Sequence, residues 1–77
     1  MPRYFFDIHE GSRLISDPSG TELADLAQAK IEATQTLAEI ARESIPASPQ
    51  NRLEISVRDE QGRPVLRLEL TFKLTEL

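Results

Sequence analysis

Asp7 and His9 stand two residues apart in a segment, Tyr4 to His9, where Tyr4, Phe6 and Ile8 alternate with Phe5, Asp7 and His9. At strand spacing an Asp-x-His pair shares one face, and two such donors can begin a metal site. Such a site needs a third or fourth ligand and an ordered second shell. Glu10 is adjacent, and nothing in the sequence says which strand would bring another donor. The pair reads as part of a solvated face near a hairpin end, and no metal or cofactor is expected. Asp7, Asp17 and Asp59 are the carboxylates available for acid–base work, which requires a pair with separated pKa values. Asp17 and Asp59 sit in turns, which accounts for both. Ser12, Ser16 and Ser19 lie in or beside turns, with no nucleophile elbow and a single histidine as base. Gly11, Gly20 and Gly62 are isolated, so no phosphate-cradling loop exists. No catalytic residue is assigned, and no enzyme is expected.

Arg58, Arg63, Arg67 and Lys73 gather near the end of the chain, and Phe5 adds an aromatic on the same outer sheet face. Stacking plus charge binds single-stranded nucleic acid. Glu54, Glu60 and Glu69 are interleaved with these bases, and cross-strand pairing explains the pattern without a ligand. The net charge is −4. Residues 1–51 carry eight acids and four bases, and residues 52–77 five of each. The surplus of bases that displaces phosphate counterions is missing.

Three patterns position these residues. Arg3 to Ser16 reads as two strands joined at Glu10-Gly11-Ser12. Asp17-Pro18-Ser19-Gly20 reads as a tight turn. Asp25 is a good N-cap with Gln28 three residues on. Leu26, Ala29, Ala33, Leu37, Ile40 and Ala41 then form one helical stripe. Gln28, Glu32, Gln35, Glu39 and Arg42 form the opposite face. The helix spans Asp25 to Ser44 and is stopped by Pro46, with a loop over Ala47–Asn51. Arg52 to Thr75 reads as a hairpin. Leu53, Ile55 and Val57 alternate in its first strand, and Leu66, Leu68, Leu70, Phe72 and Leu74 in its second. Asp59-Glu60-Gln61-Gly62 forms the loop.

These elements make one α+β domain, a two-layer ββαββ with one long helix on a four-stranded, mainly antiparallel sheet. The strand orders 2-1-3-4 and 1-2-4-3, and a mixed sheet pairing first and last strands, all remain open. The expected core is Tyr4, Phe6, Ile8, Leu26, Ala33, Leu37, Ile40, Leu53, Ile55, Val57, Leu66, Leu68, Leu70 and Phe72. Seventy-seven residues make one domain, and no cysteine is present to staple it. A cysteine-free chain suits a reducing cytoplasm. The opening residues lack the order of a secretory leader, and the longest apolar run is Tyr4 to Phe6. No leader or membrane span is therefore expected.

Met1-Pro2-Arg3-Tyr4-Phe5-Phe6-Asp7-Ile8-His9-Glu10-Gly11 is a distinctive opening. Asp17-x-x-Gly20-x-Glu22-Leu23 leads into the Ala-rich helix, and Val57-Arg58-Asp59-Glu60-x-Gly62-x-Pro64-Val65 follows near the end. Together they resemble a family of short bacterial proteins known as a domain of unknown function. That resemblance implies a small bacterial domain and supplies no site residues. The strand–turn–helix order is also similar to the N-terminal module of HicB-type antitoxins, although one strand before the helix and a DNA-binding segment are missing.

The residues point to association. Phe5 and Val65 alternate away from the core set, and Ile31 stands off the helix stripe near Ala27, Thr34 and Ala38. The expected function is a small non-catalytic, cytoplasmic module that forms a homodimer or binds a protein partner through Phe5, Ile31 and Val65. The alternative is an antitoxin-like or RNA-associated regulator using Arg58, Arg63 and Arg67. Neither a membrane nor nucleic acid is the expected partner.

Overall fold

Strict alternation of apolar and polar residues decides the two longest strands, because it gives each one dry face and one wet face. The computed structural model describes residues 1–47 and 50–77. The elements are β1 (Arg3–Glu10), β2 (Arg13–Ile15), β3 (Thr21–Glu22), α1 (Leu26–Ala47), β4 (Gln50–Arg58) and β5 (Pro64–Lys73). One sheet holds the strands in the order β2-β1-β4-β5, and β3 pairs with the start of β1. Every pairing is antiparallel. In terms of the two expected hairpins this is the order 2-1-3-4. The sheet has five strands rather than four, because Thr21–Glu22 returns to pair with Tyr4 and Arg3.

The register fixes the faces. Phe6 is opposite Val57, which is opposite Leu66; Ile8 is opposite Ile55, which is opposite Leu68. These rows point toward the helix. On the outer face Asp7, Ser56 and Arg67 form one row, and His9, Glu54 and Glu69 the next.

Asp25 caps the helix by accepting the Gln28 N–H at 3.0 Å. Ala29, Ala33, Leu37 and Ala41 recur every four residues and are buried. The alanines let the helix approach the sheet closely, and it packs chiefly over β4 and β5. Leu53, Ile55 and Val57 of β4 are the largest fully buried side chains. Phe6, Ile8, Ile40, Leu66, Leu68, Leu70 and Phe72 are half-buried against this core. Leu26, expected in the core, is 44% exposed. It lies in the first turn, ahead of the buried stripe that begins at Ala29.

The helix also runs past its expected end at Ser44. Ile45 is half-buried against the core, and Pro46 falls inside the last turn. Proline there removes one terminal hydrogen bond, which the burial of Ile45 offsets. Ala47 is helical, while Gln50 and Asn51 belong to β4. Ser48 and Pro49 of the expected loop lie outside the described residues. The β4–β5 hairpin follows its turn chemistry. Asp59 accepts the Gln61 and Arg63 N–H groups, each at 2.9 Å, and Gly62 has φ 81°.

Truncating Leu53 to alanine should cost about 2–5 kcal/mol, whereas Leu26→Ala should stay within about 1 kcal/mol. Denaturant midpoints at equal slopes measure both. Equal losses would show that the helix start is packed as deeply as β4.

Candidate functional site

The densest polar contacts lie on the outer face, where the chain leaves β2 and returns as β3. The β2 pairing covers Ile8 to Glu10 and the β3 pairing covers Arg3 and Tyr4. Between them the backbone of β1 has no strand partner on that side among the described residues, and side chains fill the gap. The Asp17 carboxylate accepts the Phe6 N–H at 3.1 Å, in place of a ladder carbonyl. Its other oxygen accepts the Ser19 and Gly20 N–H groups at 3.2 and 3.0 Å. Asp7 accepts the Asp17 N–H at 2.9 Å. Arg58 donates from Nε to Asp7 at 2.9 Å and from Nη2 to the Asp17 carbonyl at 3.0 Å. Its guanidinium lies 4.5 Å from the centre of the Phe5 ring, a cation–π contact.

Gly20 completes this lock. It has φ 72°, and a Cβ there would stand 2.9 Å from Arg3 Cγ, Phe5 Cε2 and the Tyr4 carbonyl. Both conformation and space therefore require glycine. Arg3 reaches across the same turn, donating to the Ser19 carbonyl and to Glu22, both at 2.9 Å.

Burial alone would raise the pKa of Asp7. The Arg58 hydrogen bond, the Asp17 N–H and the Arg58 charge outweigh it and hold the group below its ordinary 3.8. Asp17 is also desolvated, yet its three backbone donors and Arg58 bring it below 3.8 as well. Both groups are acceptors in their ionised forms, which suits a lock on a turn. General acid–base work wants a pKa close to the operating pH.

His9 shares the outer face with Asp7, and its Nδ1 lies 3.3 Å from Glu54 Oε2 without hydrogen-bond alignment. Among the described residues no group of three or more His, Asp or Glu side chains gathers as a metal site would. Glu54 and Glu69 are directly opposite each other across β4 and β5. Arg52 lies 3.4 and 3.0 Å from them, and Arg67 lies 3.8 and 3.2 Å from them. Two of the three arginines of the expected basic cluster are therefore paired with acids. Arg58 is taken up by the lock, Arg67 by glutamates, and Arg63 sits exposed at the hairpin.

Of the expected contact residues, Ile31 is 50% exposed on the helix, beside Ala27, Lys30, Thr34 and Gln35. Phe5 lies on the outer face as expected, half-buried beneath Arg58 and the Gly20 turn. Val65 does not stand clear on that face. It is half-buried against the core, because a bulge after Val57 pairs Arg58 with Pro64 and interrupts the alternation. An open groove of about 350 Å³ lies between the helix and the β2 side, with Phe6, Ile8 and Ile15 below Glu32 and Thr36. The lock itself joins residues 51 positions apart. The only sequence signal for it was an arginine and two aspartates at alternate strand and turn positions.

The lock makes stability pH-dependent. A carboxylate whose folded pKa is depressed contributes stability that is fully present above its unfolded value. That contribution should hold at neutral pH and be lost as pH falls below 3.8 through the depressed folded values. Asp17→Asn should cost about 1–3 kcal/mol at pH 7 and flatten this acid decline. Urea midpoints between pH 7 and pH 2 are the measurement, and parallel curves for the two proteins would exclude Asp17 as a source of the decline.

No curated protein and no solved structure matches the chain significantly. The profile of a domain of unknown function, DUF6894, matches residues 3–71. That span contains the β1 opening, the Asp17–Gly20 lock, the helix and all but the last two residues of β5, and the chain belongs to the DUF6894 family.

Proposed function

We propose that this domain is a small non-catalytic interaction module of the bacterial cytoplasm, which self-associates or binds a protein partner. One observation carries the reading: the domain leaves more surface open than a folded chain of its size needs to. A compact protein of 8.7 kDa exposes about 4,700 Å², and this one exposes 5453 Å². Its extents are 49 × 21 × 16 Å, so the helix and sheet form a long, thin pair of layers. The uncovered area is apolar in part. Ile31 is exposed on the helix, and the inward rows of β1 and β5 are half-covered.

The regulator reading has less support. Phosphate binding by Arg58 would have to displace Asp7, the Asp17 carbonyl and the Phe5 ring. Arg67 would have to leave Glu54 and Glu69. The chain is acidic overall. No described helix is long and apolar enough to cross a membrane.

Sedimentation velocity over a hundredfold concentration range, at low and high salt, tests the reading. The purified chain should form a species larger than a monomer, and Ile31→Glu should weaken it. An apolar contact persists at high salt, whereas a complex held by phosphates weakens steeply. Co-purifying RNA that is lost at high salt would replace this reading with the regulator.

A further inference from the structure

The two edges of the sheet differ. At one edge β2 has three residues and β3 two, and the Asp17 lock closes the gap between them. At the other edge β5 runs for ten residues. It carries proline only at its first position, and no charge points inward. Past the bulge at Val65 it runs unbroken from Leu66 to Lys73, and a long edge of this kind is a template for another strand.

We infer that β5 pairs antiparallel with β5 of a second copy about a two-fold axis at Leu68, joining two sheets into one. This rests on the self-association reading above and names its surface. The register follows from charge together with the length of strand paired. Pairings that keep the apolar face inward must place like faces together. An axis at Arg67 or Glu69 sets each of those charges against itself. An axis at Leu70 sets Arg67 against Lys73 twice, and one at Thr71 pairs only half of the strand. An axis at Leu68 pairs Leu66 to Leu70 directly, sets Pro64 and the bulged Val65 against Phe72 and Thr71, and places Arg67 opposite Glu69 of the second copy, twice. Glu69 already faces Glu54, a like-charge pair that cross-strand rules penalise, and a third guanidinium offsets it.

The helix agrees with this axis. At about 100° per residue, Glu32 and Thr36 lie on one side of the buried alanine stripe. Ala27, Ile31, Thr34 and Ala38 lie on the other. Glu32 and Thr36 border the groove over Phe6 and Ile8, which is the β1–β2 side. Ile31 is therefore on the β5 side. Ser44 donates to Glu10 at 2.8 Å, level with Leu53 and Leu70, so the helix runs parallel to β5. The axis turns these two flanks toward each other, about 10–14 Å between helix axes given the strand spacing. At about 1.5 Å of rise per helix residue against about 3.3 Å per strand residue, Leu68 is level with Ile40. The flanks therefore cross near Ala38, and Ile31 lies toward the end of the contact. Their small residues allow the closer approach, about 8–10 Å, of packed helices. The surplus exposed area, roughly 700 Å² by size scaling, is near what each partner buries in a standard interface.

Charge exchange tests the register. Arg67→Glu and Glu69→Arg should each raise the dimer dissociation constant about tenfold or more, and an equimolar mixture should recover a heterodimer near the native affinity. The cysteine-free chain allows a second measurement that does not depend on those variants folding. Paired residues on adjacent strands lie about 4.5–5.5 Å apart at Cα, within disulfide reach. Leu68→Cys should therefore cross-link to itself under mild oxidation, and Thr71→Cys should not. A dimer that neither exchange weakens, or that cross-links at position 71 and not 68, would overturn the β5 pairing and leave self-association standing. A monomer at every concentration would overturn both.

Discussion

A single helix must cover a sheet that is four strands wide, and it cannot. Four strands span roughly 14–20 Å, while a helix with its side chains is about 10–12 Å across. The chain spends its coverage on the middle. Ala29, Ala33 and Ala41 bring the helix down onto β4, whose Leu53, Ile55 and Val57 are sealed. The flanking rows on β1 and β5 are left half-covered. Large residues in place of the alanines would lift the helix and open the centre in order to widen the roof. Small size therefore sets the shape of the core and decides where apolar surface stays exposed.

The two edges are treated differently. Residues 13–22 run beside β1 but are broken at Asp17-Pro18-Ser19-Gly20, so β2 and β3 cover its ends and a turn spans the middle. That turn would leave the Phe6 N–H without a ladder partner. Asp17 supplies one through its side chain, and Asp7, Arg58 and Gly20 hold Asp17 in place. The carboxylates, arginine and aromatic that looked suited to chemistry or nucleic acid are thus largely consumed in keeping a broken edge strand attached.

The layers were legible because period and turn chemistry agreed. Leu53 to Val57 and Leu66 to Phe72 alternate cleanly, Asp25 and Asp59 supply their expected side-chain acceptors, and the alanine stripe marks the buried helix face. What depended on register was not legible. Thr21–Glu22 is too short to show alternation. Val65 departs because a bulge shifts the count of residues after Val57. Leu26 fits the stripe in angle and misses the core in height, which an angular pattern cannot show. Pro46 marks the end of the helix only to within a turn, since burial of Ile45 carries the helix past it. The Asp7–Arg58 contact joins the first and fourth strands in chain order, and adjacency of that kind follows from the strand order that the sequence left open.

A sheet with one closed edge and one free edge has a definite limit to its assembly. Pairing through β5 about a two-fold axis uses the free edge of both copies, and what remains at the outer ends is β2 and β3, short and held by the Asp17 lock. Isologous contact closes at two subunits, whereas two free edges per chain would permit open-ended growth. On this view the lock and the β5 surface are coupled without touching. Loss of Asp17 would loosen the edge that terminates the joined sheet, and the damage would appear as longer assemblies as well as a less stable monomer. In the proposed dimer the polar cluster on the outer face would act from the far side of the sheet, by denying it a second edge.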